Sequence, residues 1–121
     1  GNQGLRELRE DFEKAQERRV NEAMQSVRDR IKDTLSRLSN QLRVETDGTK
    51  GRIHESTINS AIELASSLDQ FNLTRDPELI ALKREMESVL GGYTLDDLKK
   101  DDLVRGYAKT DVDGLLSKFS F

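Results

Sequence analysis

His54 is the single histidine of this chain, and cysteine is absent. A lone imidazole can serve as a general base, but it forms neither a histidine metal cluster nor a Cys–His pair. Its place just ahead of a helical stretch suits a surface or capping residue. Carboxylates occur in pairs, Asp96-Asp97 and Asp101-Asp102, and in the run Asp111-Val112-Asp113-Gly114. The run begins like a calcium loop, which needs an oxygen ligand near its fifth position and a bidentate Glu at its twelfth. Leu115 stands at the fifth position, and the twelfth falls beyond Phe121. Helix caps and negative charge at helix starts account for these acids better. Gly48-Thr49-Lys50-Gly51 has the residue types of a phosphate loop in the wrong order, with no strand before it. The expectation is no catalytic residue, no cofactor and no metal.

Composition narrows the classes further. The chain has 121 residues, of which 36% are charged and 34% hydrophobic, with a net charge of −3. One small domain fits that length. No run approaches the roughly 18 apolar residues of a membrane span, and without cysteine there is no disulfide scaffold. Residues 5–43 carry 10 basic and 8 acidic groups, whereas 53–92 carry 3 basic and 7 acidic. Arg28, Arg30, Lys32, Arg37 and Arg43 line the first segment and could meet phosphates. Asp29 and Asp33 are interleaved with them and no aromatic residue is near, so a solvated helix face is favoured. A nucleic-acid accessory role through these residues is the alternative reading.

These side chains would be positioned by helices. Leu5, Leu8, Phe12, Ala15, Val20, Met24, Val27, Ile31, Leu35, Leu38 and Leu42 recur at helical spacing, with no Gly or Pro between Leu5 and Leu42. A helix over 5–43 is expected, its 38 residues from Leu5 to Leu42 alone roughly 57 Å long, which exceeds the diameter of so small a domain. The stripe has two phases, separated by a five-residue gap between Ala15 and Val20. Beyond Val20 the mean step is about 3.67 residues, the period of straight helix packing and not of a left-handed coiled coil. Residues 1–4 read as a cloning remnant or a disordered start.

Glycine and proline punctuate the remainder. Asp47-Gly48-Thr49-Lys50-Gly51 marks a turn, with a small hairpin between 44–46 and 52–54 as one option. A second helix is expected over 53–71, with Ile58, Ala61, Ile62, Ala65 and Leu68 inward. Asp76-Pro77-Glu78 is a strong helix start, opening a third helix over 77–90 that Gly91-Gly92 ends. Thr94 begins a short helix over 95–100. A last helix over 102–118 has Leu103, Tyr107, Val112, Leu115, Leu116 and Phe119 as core candidates. The reading is an all-α fold of four main helices, the long N-terminal one packed by its second half on a short-loop bundle spanning 53–121. The sequon Asn72-Leu73-Thr74 would matter only in a secretory pathway.

The interaction candidates are Leu5, Leu8, Phe12 and Ala15, a thin heptad stripe flanked by Arg6, Glu7, Glu10, Glu13 and Lys14. It suits pairing with another helix, from a second copy or from upstream sequence of a longer parent. Folding back on its own bundle is the competing arrangement.

Ile53-His54-Glu55-Ser56, Leu64, Leu68, the run Asn72-Leu73-Thr74-Arg75-Asp76-Pro77-Glu78-Leu79, and Leu95, Leu98, Asp102 and Arg105 together give a resemblance. The stretch 53–105 resembles the C-terminal part of a helical protein family of unknown function, widespread in tailed bacteriophages. The resemblance implies a phage or prophage origin, a longer parent protein and the cytoplasm of a bacterial host. It transfers no catalytic residue. The function expected is a non-catalytic helical assembly or protein-interaction module, self-associating or bound to a partner helix.

Overall fold

One helix, α1, runs unbroken from Asn2 to Gln41 in the computed structural model, which describes residues 1–121. Its 40 residues span about 60 Å. The start is helical from Asn2, three residues ahead of the expected boundary, so 2–4 are not a disordered lead. Nothing in the sequence interrupts the helix, because it holds no proline and Gly4 is its only glycine. Four shorter helices follow: α2 (Glu55–Phe71), α3 (Pro77–Gly91), α4 (Leu95–Lys100) and α5 (Asp102–Lys118). No strand forms, and the fold is all-α.

The core assembles on the second phase of the α1 stripe. Met24, Val27, Ile31, Leu35, Leu38 and Leu42 are buried, against Leu64, Ala65 and Leu68 of α2, Leu79, Leu82 and Met86 of α3, and Ala108, Val112 and Leu115 of α5. Val20 packs at the edge of this cluster. Polar ties join the same elements. Arg28 of α1 pairs with Asp76, the N-cap of α3, at 2.5 Å. Lys83 of α3 pairs with Asp69 of α2 at 3.2 Å, and Lys118 of α5 with Glu85 of α3.

The caps follow the sequence signals. Asp76 Oδ1 accepts from the Glu78 amide at 2.9 Å, Thr94 Oγ1 from Asp97 at 3.1 Å, and Asp101 Oδ1 from Leu103 at 3.0 Å. Three expectations are corrected. Gly91 stays within α3, and Gly92 ends the helix in the right-handed region at φ −84°, not by a left-handed glycine cap. The 44–54 segment is no hairpin: a single antiparallel bridge, Val44 to Lys50, is all that pairs. A loop so short sits better on the helix end than as a free ribbon. Gly51 lies there against α1, and a Cβ on it would come within 2.5 Å of the Gln41 carbonyl oxygen. Only glycine lets the chain return that closely.

The third correction concerns α5 and α2. Leu103 and Tyr107 are 71% and 64% exposed, not core, and Ile62 also faces out. The buried line of α5 is Arg105, Ala108, Val112 and Leu115. A 3–4–3 spacing is present there, but its first member is an arginine. Val112, Leu115 and Phe119 are buried as expected, and Leu116 packs at the core edge; Leu103 and Tyr107 alone fall on the exposed side. At the end of the chain Phe119 is buried, and the Ser120 amide donates to Glu78 Oε1 at 2.9 Å, so the terminus is held.

Candidate functional site

The first 14 residues are exposed all round. Leu5 and Leu8 are each 68% exposed and Phe12 62%, while Ala15 is half-buried. These four lie on one face of a continuous helix, ahead of the point where Val20 joins the core. The helix does not fold back on the bundle. The projecting part, residues 2–19, is an arm of about 27 Å. At about 100° per residue the five-residue gap turns the arm stripe about 120° away from the core stripe. The bundle therefore occupies a different side of α1 from the one the arm stripe presents.

A rod without tertiary contacts has little besides its own hydrogen bonds. Isolated helices of this length are marginal in water. Pairs such as Glu10 with Lys14, at i and i+4, add only tenths of a kcal/mol each. Three large apolar side chains in a row on such a rod are the kind of exposed stripe that marks a docking face.

Of the five basic candidates in the first segment, Lys32 is exposed without an ion pair, and the other four have structural partners. Arg28 pairs with Asp76, Arg37 with Asp33 at 3.3 Å, and Arg43 with Glu45 at 3.4 Å. The Arg30 guanidinium lies over the Phe71 ring, 5.9 Å from its centroid. The groove between α1 and α2 combines Arg30 and Arg37 with Asp33 and Glu63, a balance of charge and not a basic channel. His54 is exposed at the N-cap of α2; its side chain makes no cap bond, and its amide donates to Gln41 Oε1 at 3.1 Å. It borders an open cleft with Arg52, Lys99, Arg105 and a single carboxylate, Glu55. No three His, Asp or Glu side chains come together to hold a metal ion.

The carboxylate runs serve caps and ties. Lys100 pairs with Asp96 at 3.1 Å, and Lys50 with Asp102 at 2.5 Å. Asp113 receives Lys109 at 2.8 Å and the Ser39 hydroxyl, joining α5 to α1. Burial works against its charge, but the bonds from Lys109 and Ser39 outweigh it and hold the carboxyl below its ordinary 3.8. The tie therefore stabilises above that value and is lost as the pH falls through the lowered one. Thr49 bonds similarly hold Asp47 low in the Gly48 turn, where Gly48 takes φ +88°.

Tyr93 donates its hydroxyl to Asp111 Oδ2 at 2.6 Å. This bond, with partial desolvation and the carboxylate charge, pushes the phenol from 10.0 up to about 12. The neutral phenol thus contributes stability in full below pH 10.0, and that contribution is lost as the pH rises through about 12. In a Tyr107→Phe background, ultraviolet titration should give a midpoint near 12, and Asp111→Ala should return it toward 10.0. An unshifted parent midpoint would show that the bond does not persist in solution.

Two residues escaped the sequence reading. Asn72 is buried, its Nδ2 donating to the Asp76 carbonyl at 3.0 Å and its Oδ1 accepting from the Asp76 amide at 2.9 Å. The amide is engaged on both sides, so the sequon lacks a free acceptor nitrogen. Arg105 is 4% exposed. Its Nε donates to the Leu98 carbonyl and its Nη1 to the Gly51 carbonyl, each at 3.0 Å. Admitting an arginine to the α5 spacing would have flagged it.

The chain matches no protein-family model, no curated protein and no solved structure. No helix is long and apolar enough to cross a membrane.

Proposed function

We propose that this chain is a helical protein-interaction module. A folded bundle anchors one end of α1, and the arm presents Leu5, Leu8, Phe12 and Ala15 for another helix to cover. One observation carries the reading: the apolar stripe continues for four positions along a helix that has already left its own core, with its large side chains more than 60% exposed. Removing that surface from water supplies about 25 cal/mol per Å2. No catalytic or cofactor role is assigned to any residue. The resemblance of 53–105 supports a setting in a bacteriophage or prophage, within the bacterial cytoplasm.

The test separates docking from folding. Leu8→Asp/Phe12→Asp should lower the mass seen by light scattering while helical circular dichroism and the thermal transition persist, because both sites lie outside the core. Loss of the thermal transition in the variant overturns the reading, because the arm would then belong to the fold; a mass of 13.8 kDa for the parent and the variant alike removes the second copy as the covering helix. Tight binding of DNA or RNA at moderate salt, abolished by Arg30→Glu/Arg37→Glu, would favour the nucleic-acid reading instead.

A further inference from the structure

Resting on that reading, we infer that the occupant of the arm is a second copy of this chain, lying parallel and in register along Leu5, Leu8, Phe12 and Ala15. The first argument is charge. Residues 5–19 hold Arg6, Arg9, Lys14, Arg18 and Arg19 against Glu7, Glu10, Asp11, Glu13 and Glu17. The arm is neutral as a whole, so it selects no oppositely charged partner and carries no net repulsion toward its own copy. With Leu5 and Phe12 at a and Leu8 and Ala15 at d, the flanking positions are Arg9 and Gln16 on one side and Asp11 and Arg18 on the other. In an antiparallel overlap Leu8 stacks on Phe12, which sets Arg9 against its own counterpart and Asp11 against its own. In the parallel register Asp11 faces Gln16 and Arg9 faces Gly4, with no like charges opposed. The single like-charged layer is Arg19, where the apolar stripe stops.

The second argument is shape. The core stripe lies about 120° around α1 from the arm stripe, so each bundle hangs outward and leaves the pairing side open. The positions that continue the arm stripe, Arg19, Glu22, Ser26, Asp29 and Asp33, are all exposed and polar. By Asp33 this side borders the groove against α2, so the two rods separate once the apolar contact ends. Four positions per chain make an interface smaller than the about 1,000 Å2 that durable complexes bury. The pair therefore forms and dissociates with concentration.

The absence of cysteine makes orientation directly readable. In the parallel register position 8 meets itself, whereas in the antiparallel one it meets position 12. Leu8→Cys in the full chain should cross-link alone under mild oxidation at about 1 mM, doubling the mass on a non-reducing gel, while Glu10→Cys on the opposite face should remain monomeric. Cross-linking that appears only when Leu8→Cys is mixed with Phe12→Cys overturns the parallel arrangement while leaving the arm as the docking face. Association of the parent that survives Leu8→Asp/Phe12→Asp overturns the arm itself, and a parent that stays monomeric at that concentration overturns the second copy.

Discussion

Ile31→Asp should abolish the cooperative unfolding transition and most of the helical circular dichroism. Ile31 is fully buried at the centre of the α1 core line, between Val27 and Leu35, in the stretch of α1 that packs on α2 and α5. A carboxylate there has no cation to pair with, and the cost of hiding it or breaking the packing exceeds about 4 kcal/mol. Domains of this size hold only about 5–15 kcal/mol in total. Leu68→Asp on the facing side of α2 should behave alike. Thermal melts followed by circular dichroism provide the measurement, and a variant that melts like the parent would mean that this face of α1 is not the core. The contrast with Leu8→Asp is the sharpest consequence of the architecture. One helix carries two apolar stripes, and the same substitution is fatal in one and harmless to folding in the other.

The second large effect concerns a polar residue. Arg105→Met should lower stability by about 2–4 kcal/mol. Methionine keeps much of the length and apolar body of the side chain but offers no donor. The Leu98 and Gly51 carbonyls would then lose the bonds that Arg105 Nε and Nη1 supply. One of those carbonyls lies near the C-terminal end of α4, where helix carbonyls lack amide partners. The other belongs to the return loop that brings the chain from α1 to α2. Arg105 is thus the stitch between the loop, α4 and α5. Arg105→Lys should recover only part of the loss, because an ammonium is a compact donor and does not reproduce the planar fork. The denaturant midpoint measures both, and an unchanged midpoint in Arg105→Met would show that water replaces the guanidinium at no cost.

Much of this architecture follows from local rules, and the reason is visible in particular residues. Leu and Ile at steps of three and four, without Gly or Pro, specify a helix wherever they occur, so α1 and its two phases were readable from spacing alone. Asp76-Pro77-Glu78 and Thr94 announce helix starts because a cap bonds amides only two or three residues away. The arm stripe was legible on the same basis, since periodicity identifies an apolar face without knowing what lies against it. What neighbours decide was not legible. Leu103 and Tyr107 look like core by type, yet α5 joins the core through Ala108, Val112 and Leu115, and reaches α4 and the return loop through Arg105. The burial of an arginine depends on two carbonyls supplied by Leu98 and Gly51, one of them 54 residues distant in the chain. The return loop at Gly51 is set by the Asn40 and Gln41 carbonyls it passes. Helix formation and phase are properties of a few consecutive residues, whereas which face is covered, and by which polar partner, is fixed only when distant segments compete for the same surface.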